Sequence, residues 1–507
     1  MPNKPIKKII FIEPKAPGYH IYSRWGLPRL GTIILGTMLS NHGYDVKIFI
    51  EEIKGIDFDE LFEADAVGIS TITSTAPRAY EIARQVKKSG IPVFMGGPHV
   101  TFMTDEALKY VDYVLRGEAE ETIVDFIKAI EKGEGLENIQ GLSYHLGHLI
   151  KHNELKPRCN DLDKYPFPNF SLIHGYDEAK NQYEITPMQT SRGCPFDCNF
   201  CSVTEMFGKN YRFRSTDNVI EEIKQRKPEW IFFYDDNFAA NKKRTKELLQ
   251  KMIDNKLVVP WSSQVRADVC KDKELLELMK RTKCAQVYIG FESINPKTLE
   301  QYNKNQTVEE IQEAIKIIHS YNIKIHGMFI FGSEFDDKKT IKETVKFAKK
   351  MQIESVQFMT LIPLPGTPLF KTMEEEKRLI SHDWGYYDGH HVVFKPKSIS
   401  FLDLQIETVK AMLRFYSIPQ IFSGLNRFDI WTMIIRAYGH RVTRKWRKNN
   451  LEFTEQLKQL YHQAGEGLSS AGKEIHSAGH KLEIKARKTT DDLKEVFKKY
   501  RTTKKNI

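Results

Sequence analysis

The sequence predicts an α/β protein: a doubly wound parallel-sheet domain, then a partial (β/α)6 barrel and a helical C-terminal region. Two runs of short β-branched segments alternate with longer helical patterns, and a Pro-interrupted stretch separates the two runs. Such alternation is typical of parallel strands joined by crossover helices. The 507 residues allow about three domains. We expect a sheet domain at residues 1–140, a linker at 141–180, a barrel core at 181–400 and a helical, basic region at 401–507.

The first run contains five strand-like segments, at residues 8–12, 45–50, 66–70, 92–95 and 113–115. Helical patterns lie between them, at residues 30–41, 76–89 and 120–132. Ligands of such sheets bind beyond the carboxyl ends of the strands. Small or polar residues occur at those ends, namely Ser70, Thr71, Gly96, Gly97, His99, Gly117 and Glu118. Glycines there let a bulky ligand approach the backbone, and no G-x-G-x-x-G follows the first strand, which disfavours a dinucleotide.

The second run contains six strand-like segments, at residues 186–190, 230–235, 262–266, 286–290, 325–331 and 355–361. Helical patterns follow most of them, at residues 219–226, 242–254, 273–281, 308–321 and 339–351. Six βα units in series predict an open or partial barrel. The carboxyl ends of its strands are where we expect the chemistry.

Composition excludes several classes of protein. The sequence is 41% hydrophobic and 28% charged, which argues against general disorder, collagen and a disulfide scaffold. Apolar runs fall far short of the ~20 residues that span a bilayer, and the N-terminus lacks a signal-peptide pattern, so we expect a cytoplasmic protein. Residues 441–507 hold 17 Lys and Arg against 8 Asp and Glu, nearly all of the +10 net charge. The body is almost neutral, so we expect no nucleic-acid partner.

Two features of the C-terminal region allow several interpretations. Apolar residues from Leu457 to Leu482 repeat with a period of 3.5, which indicates a weak helical seam because many are alanines. Residues 422–446 mix aromatic side chains with arginines. This composition suits an interfacial helix, a lid over an apolar substrate, or a helix packed on the barrel with an exposed basic face. We therefore expect peripheral membrane contact through the basic tail.

A cluster of three cysteines gives the strongest chemical signal. Cys194, Cys198 and Cys201 follow the first strand of the second run within eight residues. Three thiolates on one loop can bind three irons of a 4Fe–4S cluster and leave the fourth iron open for chemistry. Structural zinc completed by Cys159, Cys270 or Cys284 is the alternative. The sequence has neither a second C-x-x-C nor an H-x₃₋₅-H to support zinc.

This loop resembles the signature C-x-x-x-C-x-aromatic-C of the radical S-adenosylmethionine (radical SAM) family, with Phe200 as the aromatic residue. The resemblance implies that the amino and carboxylate groups of SAM chelate the open iron. It also implies that one-electron reduction cleaves SAM to a 5′-deoxyadenosyl radical, and that Phe200 lies near the adenine. Ordinary packing is the other interpretation of Phe200.

The same resemblance assigns SAM contacts to residues at the next strand ends: Asp235, Asp236, Gln264, Arg266, Glu292 and Ser293. The two aspartates would accept hydrogen bonds from the SAM amino group, or they would cap the following helix. Arg266 would pair with a carboxylate, or hold Asp268. Glu292 and Ser293 would meet the ribose or methionine part. The resemblance assigns no catalytic protein side chain.

The first domain extends the resemblance to the cobalamin-binding radical SAM subclass. Its motifs are 25-WGLPRLG-31, 96-GGPH-99 and 116-RGE-118, followed by the radical SAM core. The resemblance implies that Ser70, Thr71, Gly96, Gly97, His99, Gly117 and Glu118 contact cobalamin. The D-x-H-x-x-G motif that supplies an axial histidine is absent, and His99 is a poor substitute because a turn histidine usually forms hydrogen bonds. The implied cofactors are a 4Fe–4S cluster, SAM and cobalamin.

The resemblance implies methylation of an unactivated carbon. The expected substrate is a hydrophobic or lipid-like metabolite, such as a polycyclic isoprenoid. One SAM would methylate cobalamin and a second would yield the radical that abstracts hydrogen from the substrate. An external donor such as flavodoxin or ferredoxin would supply electrons. An oxidative cyclase or rearrangement enzyme with the same cofactors is one alternative. A zinc-stabilised binding module with a basic tail is an alternative of another class.

Overall fold

The computed structural model describes residues 5–18, 27–176, 185–423 and 429–466. The first domain contains one sheet, of strands β1 Lys8–Glu13, β2 Asp45–Ile50, β3 Ala66–Ser70, β4 Val93–Gly96, β5 Tyr113–Leu115, β6 Leu142–Leu146 and β7 Leu149–His152. Its helices are α1 Leu30–Asn41, α2 Phe58–Leu61, α3 Ala76–Lys87, α4 Pro98–Phe102, α5 Thr104–Ala107 and α6 Ile123–Lys132.

The strand order β2-β1-β3-β4-β5-β6-β7 is that of a doubly wound sheet with an added hairpin. The first five strands are parallel. Alternate residues of β1 enter opposite cores, because Ile9 and Phe11 pack on one face and Ile10 and Ile12 on the other. Helices cover both faces, so the predicted fold class is confirmed for this domain.

The predicted linker starts later than residue 141. Strands β6 and β7 form an antiparallel hairpin that continues the first sheet beside β5. Gly141 and Gly147 have φ of +79° and +64° and turn the chain before and within this hairpin. The two strands contain only five and four residues. Only residues 142–144 of β6 are buried, where they pair with β5, and local sequence does not reveal this pairing.

The second sheet forms the barrel, with strands β8 Ile185–Met188, β11 Trp230–Phe233, β12 Trp261–Val265, β13 Cys284–Glu292, β14 Lys324–Phe331 and β15 Ser355–Thr360. Two short strands, β9 Ser191–Arg192 and β10 Arg212–Phe213, form a separate ribbon. The helices are α7 Ser202–Phe207, α8 Thr216–Arg226, α9 Lys242–Asp254, α10 Lys273–Arg281, α11 Pro296–Gln301, α12 Val308–Ser320, α13 Lys338–Lys350 and α14 Pro368–Glu375.

All six barrel strands are parallel and lie in the order β8-β11-β12-β13-β14-β15. The sequence order matches the spatial order, and β8 and β15 are the two edge strands, as in the predicted partial barrel. Fully buried and half-buried residues alternate along β13 to β15. The fully buried residues pack beneath the helices, so the half-buried set faces the barrel interior: Tyr288, His326, Met328, Gln357 and Met359.

The C-terminal region contains helices α15 Phe401–Phe415, α16 Ile418–Phe422, α17 Ile430–Asn449 and α18 Leu451–Glu466. Helix α17 lies at the amino ends of the last barrel strands. Buried Arg436 donates to the carbonyl oxygens of Ile353 and Glu354 at 2.8 and 3.0 Å, just before β15. Asp429 pairs with Lys324 at the start of β14 at 2.7 Å. The interpretation of this region as a lid over the substrate is therefore wrong for α17, because the active site of such a barrel lies at the opposite, carboxyl ends of its strands.

The start of the predicted apolar seam packs on the barrel domain. Phe453 and Leu457 of α18 are buried in its core, and the Tyr461 ring lies 5.9 Å from that of Phe401 in α15. The seam beyond Glu466, and with it most of the basic tail, lies outside the described residues. Within the described ranges, no helix is both long and apolar enough to cross a membrane.

Candidate active site

The three clustered cysteines lie on the loop between β9 and α7, beyond the carboxyl end of β8. Cys194, Cys198 and Cys201 are free thiols and are partly exposed. The loop begins at Gly193, whose φ is +84°, and a Cβ there would lie 2.9 Å from the Asn210 carbonyl oxygen. Glycine is therefore required at this turn, which presents the thiols from one short segment at the mouth of the barrel.

The thiols fit an iron–sulfur cluster better than a zinc ion. Burial raises the pKa of all three, that of Cys201 to about 12, so a bound metal must displace their protons. In the part of the chain that the structure describes, no three His, Cys, Asp or Glu side chains are arranged to hold one metal ion. A zinc site needs such convergence, whereas a cluster takes each cysteine to a different iron.

A segment that sequence analysis missed packs against the cysteine loop. This clamp segment, residues 301–304, begins at the last residue of α11. The Asn199 side-chain amide donates to the Gln301 carbonyl oxygen at 3.1 Å, and the Tyr302 ring lies 5.0 Å from the Phe200 ring, edge to face. The observed contact of Phe200 is thus with buried Tyr302, which fixes the aromatic residue of the motif in place.

Lys304, in the clamp segment, brings a buried cation to the cysteines. Its Nζ donates to Glu292 Oε1 at 2.8 Å, and both side chains are buried. Burial raises the pKa of Cys198, and Lys304 partly opposes that rise, which places the ammonium group near this thiol. The Ser293 hydroxyl accepts the Asn295 backbone N–H at 3.0 Å and so closes a turn. Glu292, at the end of β13, and Lys304 therefore form a charged pair beside the cysteine loop. Ser293 only closes the turn that follows the strand.

Arg266 also contacts the cysteine loop. Its guanidinium stacks 3.6 Å from the centroid of the Phe196 ring and donates to the Lys304 carbonyl oxygen at 2.9 Å. The distance from its Nε to Asp268 is 3.8 Å, so holding Asp268 is the weaker of its two predicted roles. The side chain of Gln264 is half-buried at the same strand end. These contacts join the loop to the end of β12.

The two adjacent aspartates after β11 have different environments. Asp235 is fully buried and accepts the backbone N–H groups of Thr190 and Ser191 at 2.8 and 2.7 Å and the Thr190 hydroxyl at 2.7 Å. It therefore positions the chain that leads into the cysteine loop. Asp236 is partly exposed, and burial together with the Asp235 charge raises its pKa to about 6. Of the pair, Asp236 is the one whose carboxylate can meet a ligand.

The loops at the carboxyl ends of the first sheet form a cradle with little side-chain bulk. At Gly97, φ is +105° and a Cβ would lie 2.5 Å from the Thr71 carbonyl oxygen, whereas a Cβ at Gly117 would meet no atom within 4 Å. Gly96 is also open apart from one carbonyl oxygen at 3.6 Å. Among the described residues, buried Thr71 Oγ1 and Arg29 Nη1 have no hydrogen-bond partner. A bulky polar ligand fits such a cradle, because it fills the open space and supplies the missing partners.

The carboxyl ends of the two sheets lie close together. A Cβ at Gly366, in the loop after barrel strand β15, would lie 2.4 Å from the ring of Phe102 in α4, which follows β4 of the first sheet. The charges that act on Tyr234, at the end of barrel strand β11, include Arg29 and Glu13 of the first domain. Arg29 in turn donates to the Ser70 carbonyl oxygen at 3.4 Å. The cradle and the cysteine loop therefore open towards a common region, in which Tyr234 remains 37% exposed.

His99 lies inside a buried hydrogen-bond network. Its Nε2 is 3.1 Å from the Tyr80 hydroxyl and 3.9 Å from Glu106. Trp384, which follows the barrel, donates from Nε1 to the same carboxylate at 2.8 Å. Burial opposes the charge of Glu106, but hydrogen bonds from His99 and Trp384 hold the pKa of its carboxyl below the usual range. The structure thus shows the His99 ring joining the two domains, and the contact of His99 with cobalamin stays a prediction.

Glu118 is likewise engaged between the domains. Its carboxylate accepts from Arg212 and from Arg192 Nη1, the latter at 3.1 Å, and all three side chains are buried. Glu120 binds the other end of the Arg192 guanidinium at 2.5 Å. Burial opposes the charge of Glu118, but the two guanidinium groups lower the pKa of its carboxyl. The observed partners of Glu118 are thus the arginines of the β9–β10 ribbon, which flanks the cysteine loop, and its contact with cobalamin stays a prediction.

Comparison with known proteins defines the class. Residues 188–348 match the Radical SAM superfamily, and residues 26–127 match the B12 binding domain. An uncharacterized methyltransferase from Pyrococcus horikoshii is 32% identical over 409 residues, which cover 78% of this chain and 89% of that protein. The chain belongs to the cobalamin-binding radical SAM family. It is a radical SAM enzyme whose cofactors are a 4Fe–4S cluster, SAM and cobalamin.

Other relatives act on different molecules. The bacteriochlorophyllide d C-12(1)-methyltransferase of Chlorobaculum tepidum is 29% identical over 87% of this chain and 95% of its own length. The anaerobic magnesium-protoporphyrin IX monomethyl ester cyclase of Cereibacter sphaeroides is 28% identical over 82% of this chain and 71% of its own length. The hopanoid C-2 methylase of Rhodopseudomonas palustris is 26% identical, with coverage of 70% and 66%.

A solved structure shares the fold. The cobalamin-dependent SAM radical enzyme OxsB, with aqua-cobalamin bound, aligns with a TM-score of 0.65 over 86% of this chain and 72% of its own, at 16% identity. This likeness confirms the predicted arrangement of a doubly wound domain, a barrel and a helical C-terminal region.

Proposed function

We propose that this enzyme methylates an unactivated carbon of a large hydrophobic molecule. The observation that carries the proposal is the approach of the two sheet ends. Glu118 of the cobalamin-binding domain pairs at 3.1 Å with Arg192 beside the cysteine loop, and Phe102 of that domain packs against Gly366 in the loop after β15. When bound, SAM at the cluster supplies radical chemistry and cobalamin supplies a methyl group. Because the ends of the two sheets lie close together, both cofactors would act on one substrate without its release.

Each cofactor has residues suited to hold it. Cys194, Cys198 and Cys201 would ligate three irons. Asp236 would accept hydrogen bonds from the SAM amino group, and Arg266 and the Lys304–Glu292 pair would hold the charged and polar groups of SAM. Gln264, whose side chain is half-buried at the end of β12, would also contact SAM. Asp235, Ser293 and Phe200 would act through the loops that they position.

The cobalamin cradle would rest mainly on backbone and glycine positions. Gly96, Gly97 and Gly117 would allow the corrin to approach, and Ser70 and Thr71 would provide polar contacts. His99 and Glu118 would position these loops through the networks described above. Arg29 joins this set because its Nη1 is buried without a partner among the described residues.

The substrate proposal is supported by the interior of the barrel and by the relatives. Tyr288, Met328 and Met359 are half-buried and face the interior, where they would contact an apolar skeleton. The Phe232 ring lies 5.7 Å from that of Tyr288 and continues this surface. The relatives named above are a hopanoid methylase and enzymes of porphyrin and bacteriochlorophyllide chemistry, whose substrates have polycyclic skeletons in common. We therefore propose a polycyclic isoprenoid or a comparably large ring system.

Oxidative cyclisation is a second candidate function, favoured by the similarity to the magnesium-protoporphyrin cyclase over most of the chain. It would use the same site and cofactors. The two functions differ in the product, because methylation adds a carbon to the substrate whereas cyclisation removes hydrogens.

Reconstitution tests the proposed site and function together. Anaerobic protein should contain iron and sulfide in equal amounts and one corrinoid, and it should alter a component of a lipid extract when given SAM and reductant. Cys198→Ala should lose the cluster and the SAM cleavage. Cys159→Ala is the matched control, since this thiol lies outside the cysteine loop, and it should keep both. A colourless zinc protein, or an active Cys198→Ala variant, would contradict the proposal.

Two further parts of the proposal concern partners. An external low-potential protein such as flavodoxin or ferredoxin would supply electrons. The enzyme would be cytoplasmic, with peripheral contact at the inner face of the membrane. Reduction of the cluster by each candidate donor, followed by its EPR signal, tests the first part. Vesicle binding tests the second.

A further inference from the structure

Helices α16 and α17 carry an exposed surface that changes from apolar to basic. Ile418 and Phe422 of α16 and Ile430, Trp431 and Ile434 of α17 are between 49% and 67% exposed. Large apolar side chains exposed on adjacent helices are unusual in a soluble domain and mark interaction sites. We call this set the apolar end of the surface.

One face of α17 continues this surface with positive charge. Ile430, Ile434 and Ala437, followed by Arg441, Arg444 and Lys448, recur at intervals of four and three residues, and all six are exposed. This spacing places them on a single helical face. The face is apolar over its first half and basic over its second, and it spans about 27 Å at 1.5 Å per residue. Helix α17 contains no Asp or Glu.

The opposite side of α17 is fixed to the barrel. Besides its bonds to the chain before β15, Arg436 donates to the Gln420 carbonyl oxygen at 3.0 Å and to the Ser423 hydroxyl at 2.6 Å. These contacts hold α16 against α17. Thr432 and Trp446 are buried on this side. The exposed face is therefore presented by an anchored helix, with its apolar residues directed outwards.

We propose that this apolar–basic face binds the surface of an anionic lipid bilayer. Its apolar end would enter the boundary of the acyl chains, and Arg441, Arg444 and Lys448 would contact lipid phosphates. A second copy of the chain is a poorer occupant, because parallel pairing brings the basic halves together. The segment 467–507 is a poorer occupant too, since its 11 Lys and Arg against 5 Asp and Glu would face a basic surface.

The position of this face sets the orientation of the enzyme. Helix α17 lies at the amino ends of β14 and β15, and the cysteine loop follows the carboxyl end of β8. A bilayer bound at α17 would thus leave the opposite end of the barrel open to solutes and to an electron donor. This inference deepens the peripheral contact included in the proposed function by assigning it to α16 and α17.

Vesicle co-sedimentation of the full-length reconstituted enzyme tests the inference. The enzyme should bind vesicles containing phosphatidylglycerol and bind pure phosphatidylcholine more weakly. The triple variant Ile430→Ser, Trp431→Ser, Ile434→Ser should bind at least about tenfold more weakly, because it removes three inserting side chains. The matched control Leu149→Ser changes an apolar residue that is 73% exposed on the β6–β7 hairpin, and it should bind normally.

A second pair of variants separates α17 from the tail. Arg441→Glu with Arg444→Glu should weaken binding to anionic vesicles, whereas Lys498→Glu with Lys499→Glu, an equal change in charge, should weaken it less. Normal binding by the triple variant, a larger loss from the tail variant, or no binding by the unaltered enzyme would overturn the inference. Dimers that the triple variant dissociates, with vesicle binding unchanged, would assign the face to a second copy instead. Iron, corrinoid and SAM cleavage, measured in solution on the same samples, report separately on the proposed function.

Discussion

Glu118, which follows β5 of the first domain, binds Arg212 of the β9–β10 ribbon with both carboxylate oxygens, although 94 positions separate them in the chain. Arg192, which immediately precedes the turn into the cysteine loop, shares the same carboxylate. A loop of the cobalamin-binding domain is thus tied to the base of the cluster-binding loop. The two cofactor sites are coupled through charge buried between them.

Glu118→Gln should therefore loosen the docking of the two domains. Removing one partner of a buried ion pair costs about 3–5 kcal/mol, because a buried guanidinium loses its countercharge. We expect a clearly lower thermal unfolding midpoint and weaker retention of iron. Glu121→Gln is the matched control, since Glu121 pairs with Lys164 at a more exposed site and such pairs contribute less than about 1 kcal/mol. Equal effects of the two substitutions would refute the coupling.

The two aspartates after β11 should separate stability from SAM binding. Asp235→Asn disturbs three hydrogen bonds inside the barrel and should cost about 1–3 kcal/mol in chemical denaturation. Asp236→Asn should unfold nearly as the unaltered protein does, but bind SAM about tenfold more weakly in equilibrium dialysis, because it loses a charged acceptor. If Asp236→Asn bound SAM normally, another residue would hold its amino group.

The Lys304–Glu292 pair should set the reduction potential of the cluster. Lys304→Met removes a buried cation beside Cys198 and leaves Glu292 unpaired, so the reduced, more negative cluster becomes less stable. We expect a more negative midpoint in a redox titration followed by EPR. Glu292→Gln should shift the midpoint in the opposite direction, and Lys304→Arg, which keeps the charge, should shift it least. Unchanged midpoints in all three variants would place the pair too far from the cluster to matter.

Sequence periodicity was sufficient to predict the parallel strands of both sheets and the cysteine loop, because strand alternation and motif spacing are local, but it did not predict the β6–β7 hairpin. It was not sufficient to predict that Lys304 lies beside the cysteines. That residue lies between Asn303 and Asn305, whose backbones are left-handed, with φ of 53° and 50°, and no local pattern indicates that such a turn directs a lysine towards the cysteines. The ion pairs of Glu118 were not predicted for a related reason, since its partners Arg192 and Arg212 lie 74 and 94 positions away in the chain.

The C-terminal helices show the same limit. Their composition indicated an amphipathic helix, and α17 is amphipathic. Composition could not place it at the amino ends of the barrel strands, because that depends on Arg436 meeting carbonyl oxygens 82 and 83 residues away.

Buried His391 should make the docking of the C-terminal helices depend on pH. Its Nδ1 lies 2.9 Å from Asp388 and its Nε2 lies 2.9 Å from Asn450, between α17 and α18. Burial opposes its charge, but Asp388 raises the pKa of the imidazole above its ordinary value. The resulting stabilisation is fully present below the unfolded-state pKa and is lost as pH rises through the folded-state pKa.

The thermal unfolding midpoint of the unaltered protein should thus fall as pH rises through that range. His391→Gln should reduce this dependence. His148→Gln, at an exposed turn of the β6–β7 hairpin, serves as the control and should retain it. A pH dependence identical in all three proteins would show that His391 does not carry the linkage.

The fate of the SAM methyl group tests the central claim most directly. Reconstituted enzyme, reductant, a lipid extract and SAM with a deuterated methyl group should yield a product that carries the labelled methyl on carbon, together with 5′-deoxyadenosine. The Cys198→Ala variant should yield neither. A product that has lost hydrogens and carries no label would contradict methylation and assign the site to oxidative cyclisation.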